Sequence, residues 1–310
     1  MRGPTTYLNN IQQAADLLRA GKLAAFPTET VYGLGANALN AAAVQGIFET
    51  KGRPASSPLI VHVADIEMAR GLAAEWTGTA QKLAEHFWPG PLTIVVPKNP
   101  RVPDVVTAGL PSVGLRMPAH PLARALLEAA EMPIAAPSAN RFTELSPTTA
   151  EHVRASFPDL FILDGGPCTV GIESTVISLA GPVARILRPG MITQDEIEAL
   201  IGPVDMGAGP ESPGQHPRHY SPRTRVLLGA PPEAGRGFRL ELASLASDPA
   251  HYAAQLYARL HDLDKQGYDW IAIEMPPDTR EWAGVRDRLR RASGSTVQSP
   301  GQQSLPLAEG

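Results

Sequence analysis

The segment Pro27-Thr-Glu-Thr-Val-Tyr-Gly-Leu-Gly35, followed by Lys51-Gly-Arg-Pro54, constrains this chain more than any other stretch. The apolar run Leu23–Phe26 before it reads as a buried strand, and Pro27 ends that strand because proline has no N–H to give to a ladder. Thr28, Thr30 and Tyr32 then crowd hydroxyls onto a turn, where Gly33 and Gly35 let backbone approach a ligand closely. A helix is predicted over about Asn40–Thr50, with Ala43, Ile47 and Phe48 on its inner face. Lys51 and Arg53 leave its C-terminal end. Pro54 biases Arg53 toward extended geometry, so that side chains two apart can point the same way. Two cations beside a hydroxyl-rich turn suit a polyphosphate or a carboxylate. Taken alone, such a pair more often complements the helix dipole and sits in water.

A second constellation lies far along the chain. The strand Ile134-Ala-Ala136 runs into Pro137-Ser-Ala-Asn140, which again sets polar side chains two apart just past a strand end. Loops at strand ends are where open α/β sheets hold ligands. Helix and strand signals alternate through the first two hundred residues. Ile11, Ala14, Ala15 and Leu18 form a helical stripe that Gly21 closes. Strands are predicted at Pro58–Val63, Leu92–Val96, Val113–Met117, Ile134–Ala136, Phe161–Leu163, Thr175–Leu179 and Ala184–Leu187. Helices are predicted around Gln81–Phe87, Leu122–Ala130, Thr149–Ser156 and Asp195–Ile201. The fold class is α/β, one large mixed sheet with helices on its faces. Gly181-Pro182 joins the last two strands too closely for a crossover, so they should form an antiparallel hairpin.

These segments together resemble the threonylcarbamoyl-AMP synthase family, which has the YrdC-like fold. The resemblance rests on the pairs Lys51-x-Arg53 and Ser138-x-Asn140 and on Pro27–Gly35. It rests equally on Val113-Gly-Leu-Arg-Met-Pro118, Gly171-Ile-Glu-Ser-Thr-Val176 and Ile186-Leu-Arg-Pro-Gly190. It covers about residues 8–202 almost continuously. Beyond that, Ser212-Pro-Gly-Gln-His-Pro-Arg-His-Tyr-Ser-Pro222 is similar to the linker of longer, two-domain members. Two departures stand out: Gln215-His-Pro217 replaces a hydrophobic-basic run, and Arg141-Phe-Thr-Glu144 replaces a small Ser-Gly step.

The family joins L-threonine and bicarbonate (or CO2) to give N-carboxythreonine, whose carboxylate attacks the α-phosphate of ATP. Pyrophosphate leaves and threonylcarbamoyl-adenylate forms. The nucleophile is the substrate's own carbamate, so the protein's task is positioning and charge stabilisation in a dry groove. The resemblance implies Lys51 and Arg53 as catalytic cations against the phosphates. It implies a nucleotide site made of Lys51, Arg53, Ser57, Ser112, Ser138, Asn140, Arg188 and Tyr220. It implies a threonine site made of Thr28, Tyr32, His62, Arg116 and Ser174, within a large positively charged groove. Arg116 can clasp the amino acid's carboxylate with two parallel bonds. His62, alone in an apolar strand, would otherwise read as a satisfied core histidine, and the Tyr32 ring could equally be core. Glu29 and Glu173 are the nearby acids, each able to orient a cation or to form a structural salt bridge. Mg²⁺ is expected to arrive with ATP. The linker is expected to fold over the groove, with Tyr220 on the nucleotide, although a stiff spacer is the plain alternative.

Composition fits such an enzyme. The chain has 310 residues, 43% of them hydrophobic, enough for a substantial core and two domains. A net charge of −4 argues against a general nucleic-acid or membrane-surface binder. Cys168 is the single cysteine, so no intramolecular disulfide or cysteine-rich metal site can form. No run reaches membrane-spanning length and the N-terminus lacks an apolar core with a cleavage site, so the expected location is the cytoplasm. The expected organisation is a catalytic domain over 1–205, a linker or lid over 206–223, a small Rossmann-like α/β domain over 224–292 and a disordered tail over 293–310. The small domain should contain strands Thr224–Leu228, Phe238–Leu242 and Trp270–Glu274 and helices Pro249–Gln266 and Glu281–Arg291, a shortened set. The run Arg286-Asp-Arg-Leu-Arg-Arg291 could attract RNA, but a solvated helix end complementing its dipole is the favoured reading.

Two other functions compete. A carbamoyl-adenylate enzyme of hydrogenase maturation shares the fold, but it would carry a cysteine-rich zinc segment that one cysteine cannot supply. A non-catalytic RNA-binding module using the positive groove would show salt-dependent RNA affinity and no turnover. The synthase reading expects its product to pass to a separate tRNA threonylcarbamoyl-transferase complex, with no stable nucleic-acid binding of its own.

Overall fold

The computed structural model describes residues 4–207, 209–212 and 219–294. Nine strands form one sheet: β1 (Ala24–Phe26), β2 (Gly33–Asn37), β3 (Ile60–His62), β4 (Leu92–Pro97), β5 (Ser112–Arg116), β6 (Ile134–Ala135), β7 (Thr175–Ser178), β8 (Arg185–Arg188) and β9 (Asp205–Met206). Their spatial order is β1-β2-β6-β3-β5-β4-β7-β8-β9. The sheet is mixed, with β3–β5, β4–β7 and β8–β9 parallel and the other neighbours antiparallel. The hairpin expected between β7 and β8 is present.

Three local expectations change. The stretch after Tyr32, read as a turn, is strand β2. A Cβ on Gly35 would lie 2.9 Å from the Phe26 ring, so glycine here lets a β1 side chain cross the neighbouring strand. The predicted strand Phe161–Leu163 is only a bridge from Ile162 to Ala25, because β1 offers one residue for it. At the other edge, β9 pairs with β8 and runs across the expected boundary at residue 205.

Side-chain alternation divides the sheet into two working faces. Ala25 and Ala135 join Val61, Ile94 and Leu115 in a core covered by helices such as Ala41–Lys51 and Gly78–Phe87. Ala24, Phe26, Ile134 and Ala136 point the other way, beneath the helices Pro4–Arg19 and Pro121–Ala130. Those two helices cover only the β1-β2-β6 end. The rest of that face is left for the site.

The C-terminal unit has a parallel sheet of β10 (Arg225–Leu228), β11 (Gly237–Leu240) and β12 (Trp270–Ile273), with β12 in the middle. Leu242, expected to end the second strand, starts a short 3₁₀ turn instead. The helices are Pro249–Asp264 and Ala283–Ser293, so Ser293 is helical, and the rest of the expected tail from 295 lies outside the described residues. This unit is not free-standing: Val31, Leu145 and Ile172 of the first unit belong to its core cluster. A Cβ on Gly284 would lie 2.7 Å from the Gly190 carbonyl, so the helix backbone rests directly on the loop after β8. No helix among the described residues is long and apolar enough to cross a membrane.

Candidate active site

A cavity lies over the part of the sheet that the two helices leave uncovered. Its floor carries Ile60, His62 and Arg116, and its walls include Thr28, Thr30, Arg53, Ser138, Glu173, Ser174 and Arg188. His219 and Tyr220 form the roof. Register explains the floor. His62 on β3 stands opposite Arg116 on β5, so both side chains leave the sheet on one face.

Arg116 is held in place before any ligand arrives. Its Nη2 donates to Glu29 Oε1 at 2.7 Å, its Nη1 to Thr30 Oγ1 at 3.0 Å and its Nε to the Gly90 carbonyl at 3.3 Å. The second Glu29 oxygen accepts from the Ala119 N–H at 3.0 Å. Glu29 is therefore the partner that aims Arg116, and Thr30, named in the hydroxyl-rich turn but not in the threonine site, is a contributor as well. Thr28 orders the same turn, donating to the Val31 carbonyl and accepting from the Thr30 and Val31 N–H groups. Across the floor, Ser174 Oγ shares a 2.8 Å bond with Thr93 Oγ1 and accepts from Arg188 Nη2 at 3.2 Å.

His62 is buried edge-on against Phe26, with ring centroids 5.8 Å apart. Burial, reinforced by the Arg116 charge, pulls its pKa down to about 3, so the ring is neutral and keeps one donor and one acceptor nitrogen. Neither nitrogen has a partner in hydrogen-bond geometry, although the Ile134 backbone lies close enough to offset part of that shift. With Arg53 Nε and His219 Nδ1, four of the nine partnerless buried side-chain atoms among the described residues belong to cavity walls. Each such group costs about 1–3 kcal/mol unless something polar meets it, which makes this cavity a polar ligand's site.

At the other end, Arg53 Nη2 donates to Ser57 Oγ at 2.5 Å and to the Pro58 carbonyl at 3.2 Å. Burial, with repulsion from Arg188, lowers the Arg53 pKa to about 10, the response of a desolvated cation that an anion would relieve. Lys51 is placed differently from the sequence reading. It is the last residue of the helix Ala41–Lys51 and lies behind the cavity, where its ammonium donates to the Ser138 carbonyl at 2.5 Å and to the Asn140 carbonyl. Burial first, then Arg53, pulls its pKa well below the usual lysine value. Lys51 thus pins the loop that presents Ser138 to the cavity. Asn140 is equally set back, donating to the Arg141 and Glu144 carbonyls with its Oδ1 partnerless.

Three more predicted residues sit outside the cavity lining. Ser57 braces Arg53. Ser112 opens β5, four residues before Arg116 and so on the same face, with its buried Oγ partnerless. Tyr32 is core: its hydroxyl donates to the Gly166 carbonyl at 2.8 Å and accepts from the Gly165 N–H at 3.1 Å. Cys168 is buried in the sheet's core cluster, and burial raises its pKa to about 12.

The roof is tied to both units. Tyr220 is buried in a left-handed conformation (φ 59°), and its hydroxyl accepts from Arg188 Nη1 at 3.4 Å. His219 packs edge-on against Tyr220 and Phe142, and the Ser221 N–H donates to the Thr143 carbonyl at 3.0 Å. The unusual Arg141–Glu144 step is therefore where the roof is anchored, while the Gln215–Pro217 departure lies outside the described residues. On the far side, Arg288 lies over the Tyr220 ring, its guanidinium carbon 5.4 Å from the ring centroid.

Arg288 overturns the reading of a solvated helix end. It is fully buried and bonds Glu173 Oε2 from Nε at 2.6 Å. Its neighbours are engaged as well, Arg286 with Asp278 and Arg291 with Asp287. The signal was available: Val285, Leu289 and Ala292 make an apolar stripe, and Arg288 stands three residues past Val285 on that side.

Residues 16–190 match a family model described as "Telomere recombination" (the Sua5_yciO_yrdC family). Residues 192–294 match one described as "Threonylcarbamoyl-AMP synthase, C-terminal domain". The chain is 41% identical to the threonylcarbamoyl-AMP synthase of Bacillus subtilis, over 93% of this chain and 94% of that one. It is likewise 41% identical to the threonylcarbamoyl-AMP synthase of Pyrococcus abyssi, over 93% and 95%. The crystal structure of P. abyssi Sua5 complexed with L-threonine superposes with a TM-score of 0.87, covering 92% of this chain and 94% of that one at 41% identity. With both family models matched along one chain, and with the paired arginines, neutral histidine and roof tyrosine gathered in one cavity, this protein belongs to the threonylcarbamoyl-AMP synthase family.

Proposed function

We propose that this enzyme converts L-threonine, bicarbonate (or CO2) and ATP into threonylcarbamoyl-adenylate and pyrophosphate. One observation carries the assignment of the two substrate ends: a single cavity has an arginine pre-aimed by a carboxylate at one end and a desolvated arginine at the other. Arg116, immobilised by Glu29, takes the threonine carboxylate as a bidentate fork. Neutral His62, Ser174 and Thr28 line the space around the rest of the amino acid, and the L-threonine complex of the P. abyssi relative supports threonine as the ligand. Arg53 and Arg188 face the polyphosphate, and Ser138, held up by Lys51, faces the nucleotide. The carbamate oxygen of N-carboxythreonine attacks the α-phosphorus and the bond to the β-phosphate oxygen breaks. The cations stabilise the charge that moves onto pyrophosphate.

Mg²⁺ enters as MgATP. Both carboxylates beside the cavity are already committed, Glu29 to Arg116 and Glu173 to Arg288, so the polyphosphate is the better ligand for the metal. The roof of His219 and Tyr220 keeps water from the labile mixed anhydride. The product then passes to a tRNA threonylcarbamoyl-transferase complex in the cytoplasm. The RNA-module reading gains nothing from the basic run Arg286–Arg291, which is largely engaged inside the protein.

The test is pyrophosphate release from purified protein with MgATP, omitting threonine and bicarbonate in turn. Release that needs both supports the assignment. Release indifferent to threonine, or none from folded protein, overturns it.

A further inference from the structure

The cavity is completed by a residue that never touches it. Besides an ion pair with Asp287 on its own helix (Nη1 to Oδ2, 2.7 Å), Arg288, on the C-terminal helix Ala283–Ser293, makes three kinds of contact, each one step removed from the site. Its Nε and Nη2 donate to the Glu173 carboxylate (2.6 Å) and the Glu173 carbonyl (3.0 Å), and Glu173 is followed directly by Ser174. Its Nη1 donates to the Pro189 carbonyl at 2.9 Å, and Pro189 directly follows Arg188. Its guanidinium face lies over the Tyr220 ring. Ser174, Arg188 and Tyr220 are in turn bonded to one another through the Arg188 guanidinium. The Glu173 carboxylate is saturated by this arrangement: Ser146 Oγ at 2.5 Å, Tyr257 O–H at 3.1 Å and Arg288.

We propose that Arg288 is a positioning residue for the reaction, a keystone by which the C-terminal unit fixes Ser174, Arg188 and the roof tyrosine at once. The inference rests on the function proposed above. A planar fork with fixed N–H directions can hold three acceptors of different origin together, and a lysine ammonium cannot reproduce that geometry. The buried guanidinium is neutralised by Glu173 and Asp287, and removing it leaves the buried Glu173 carboxylate without its cation. The arrangement therefore stands or falls as a unit. Its loss should loosen the roof and the nucleotide end most, reach the threonine end only through Ser174, and leave Arg116 on Glu29.

The experiment compares full-length protein with Arg288→Lys, Tyr257→Phe and Arg280→Ala. Arg280 pairs with Asp195 and Glu198 on the exposed edge of the same interface and serves as the control. Hydrogen exchange at the His219 and Ser221 amides reads the roof directly, since these donate to the Arg291 and Thr143 carbonyls. Arg288→Lys should exchange there about tenfold faster, with Arg280→Ala unchanged. In turnover, Arg288→Lys should raise KM for ATP about tenfold with a markedly smaller rise in KM for threonine, and should release more pyrophosphate than adenylate recovered. Wild-type exchange rates in a folded Arg288→Lys overturn the proposal, as does an equal rise in both KM values. If Arg288→Lys fails to fold, Tyr257→Phe decides, with a smaller increase at the same amides expected and none overturning it. The exchange readout needs no turnover, so a failure of the synthase assignment would show separately, as pyrophosphate release indifferent to threonine.

Discussion

The floor and the roof of the cavity each rest on a buried arginine–carboxylate pair, and the two pairs are built in opposite ways. On the floor, Arg116 and Glu29 belong to one sheet unit: register places Arg116, and the turn after β1 brings Glu29 to it. In the roof support, Glu173 comes from the loop that leads into β7, while Arg288 comes from a helix of the other unit. The floor is organised by one sheet's geometry. The roof support exists only when two units dock.

This contrast can be broken most forcefully on the floor. Arg116→Ala leaves Glu29 buried without its cation, and a loss of about 3–5 kcal/mol in urea unfolding is expected, together with loss of saturable threonine dependence. Near-wild-type stability would mean that the floor is not self-supporting. Arg53→Ala should separate chemistry from stability. Its contacts are one serine hydroxyl and one carbonyl, so unfolding should shift by no more than about 1.5 kcal/mol, while pyrophosphate release falls on the order of a hundredfold or more.

Acid should strain floor and interface together. Burial lowers His62 and His152 to about 3, and His152 stacks on His261 of the other unit at 3.8 Å. Above the unfolded value near 6.5 neither state holds the proton, so the stability these histidines contribute is fully present. As pH falls from 6.5 toward 3, only the unfolded chain takes up protons and stability is lost, by about 1.4 kcal/mol per pH unit for each histidine at the steepest. Urea midpoints over this range check the slope, and His152→Gln should remove one histidine's share of it. Tyr220→Phe should give the smallest effect. It removes a 3.4 Å bond from Arg188 and keeps the ring under Arg288, so about 1 kcal/mol and a several-fold rise in KM for ATP are expected from steady-state kinetics.

Much of this site was legible before folding. Pro27, the hydroxyl-rich turn, Arg53 before Pro54, and Arg116 between Leu115 and Met117 all announce themselves through local chemistry and period-2 alternation. Tyr220 was legible from its linker motif. The failures share one cause. Gly33 and Gly35 look like turn residues until Phe26 is known to lie across β2. Lys51 looks like a phosphate ligand until the 138–140 loop arrives with two carbonyls. Arg288 looks solvated until the helix that carries it meets Glu173.

The sequence by itself determined the α/β class, the β7–β8 hairpin and which residue types gather at strand ends, because periodicity and the special backbones of proline and glycine act over a few residues. Only the tertiary structure decided which cations face the cavity and which hold its walls. A side chain's job there depends on the acceptor it meets, and those acceptors lie dozens of residues away, from 87 between Arg116 and Glu29 to 115 between Arg288 and Glu173.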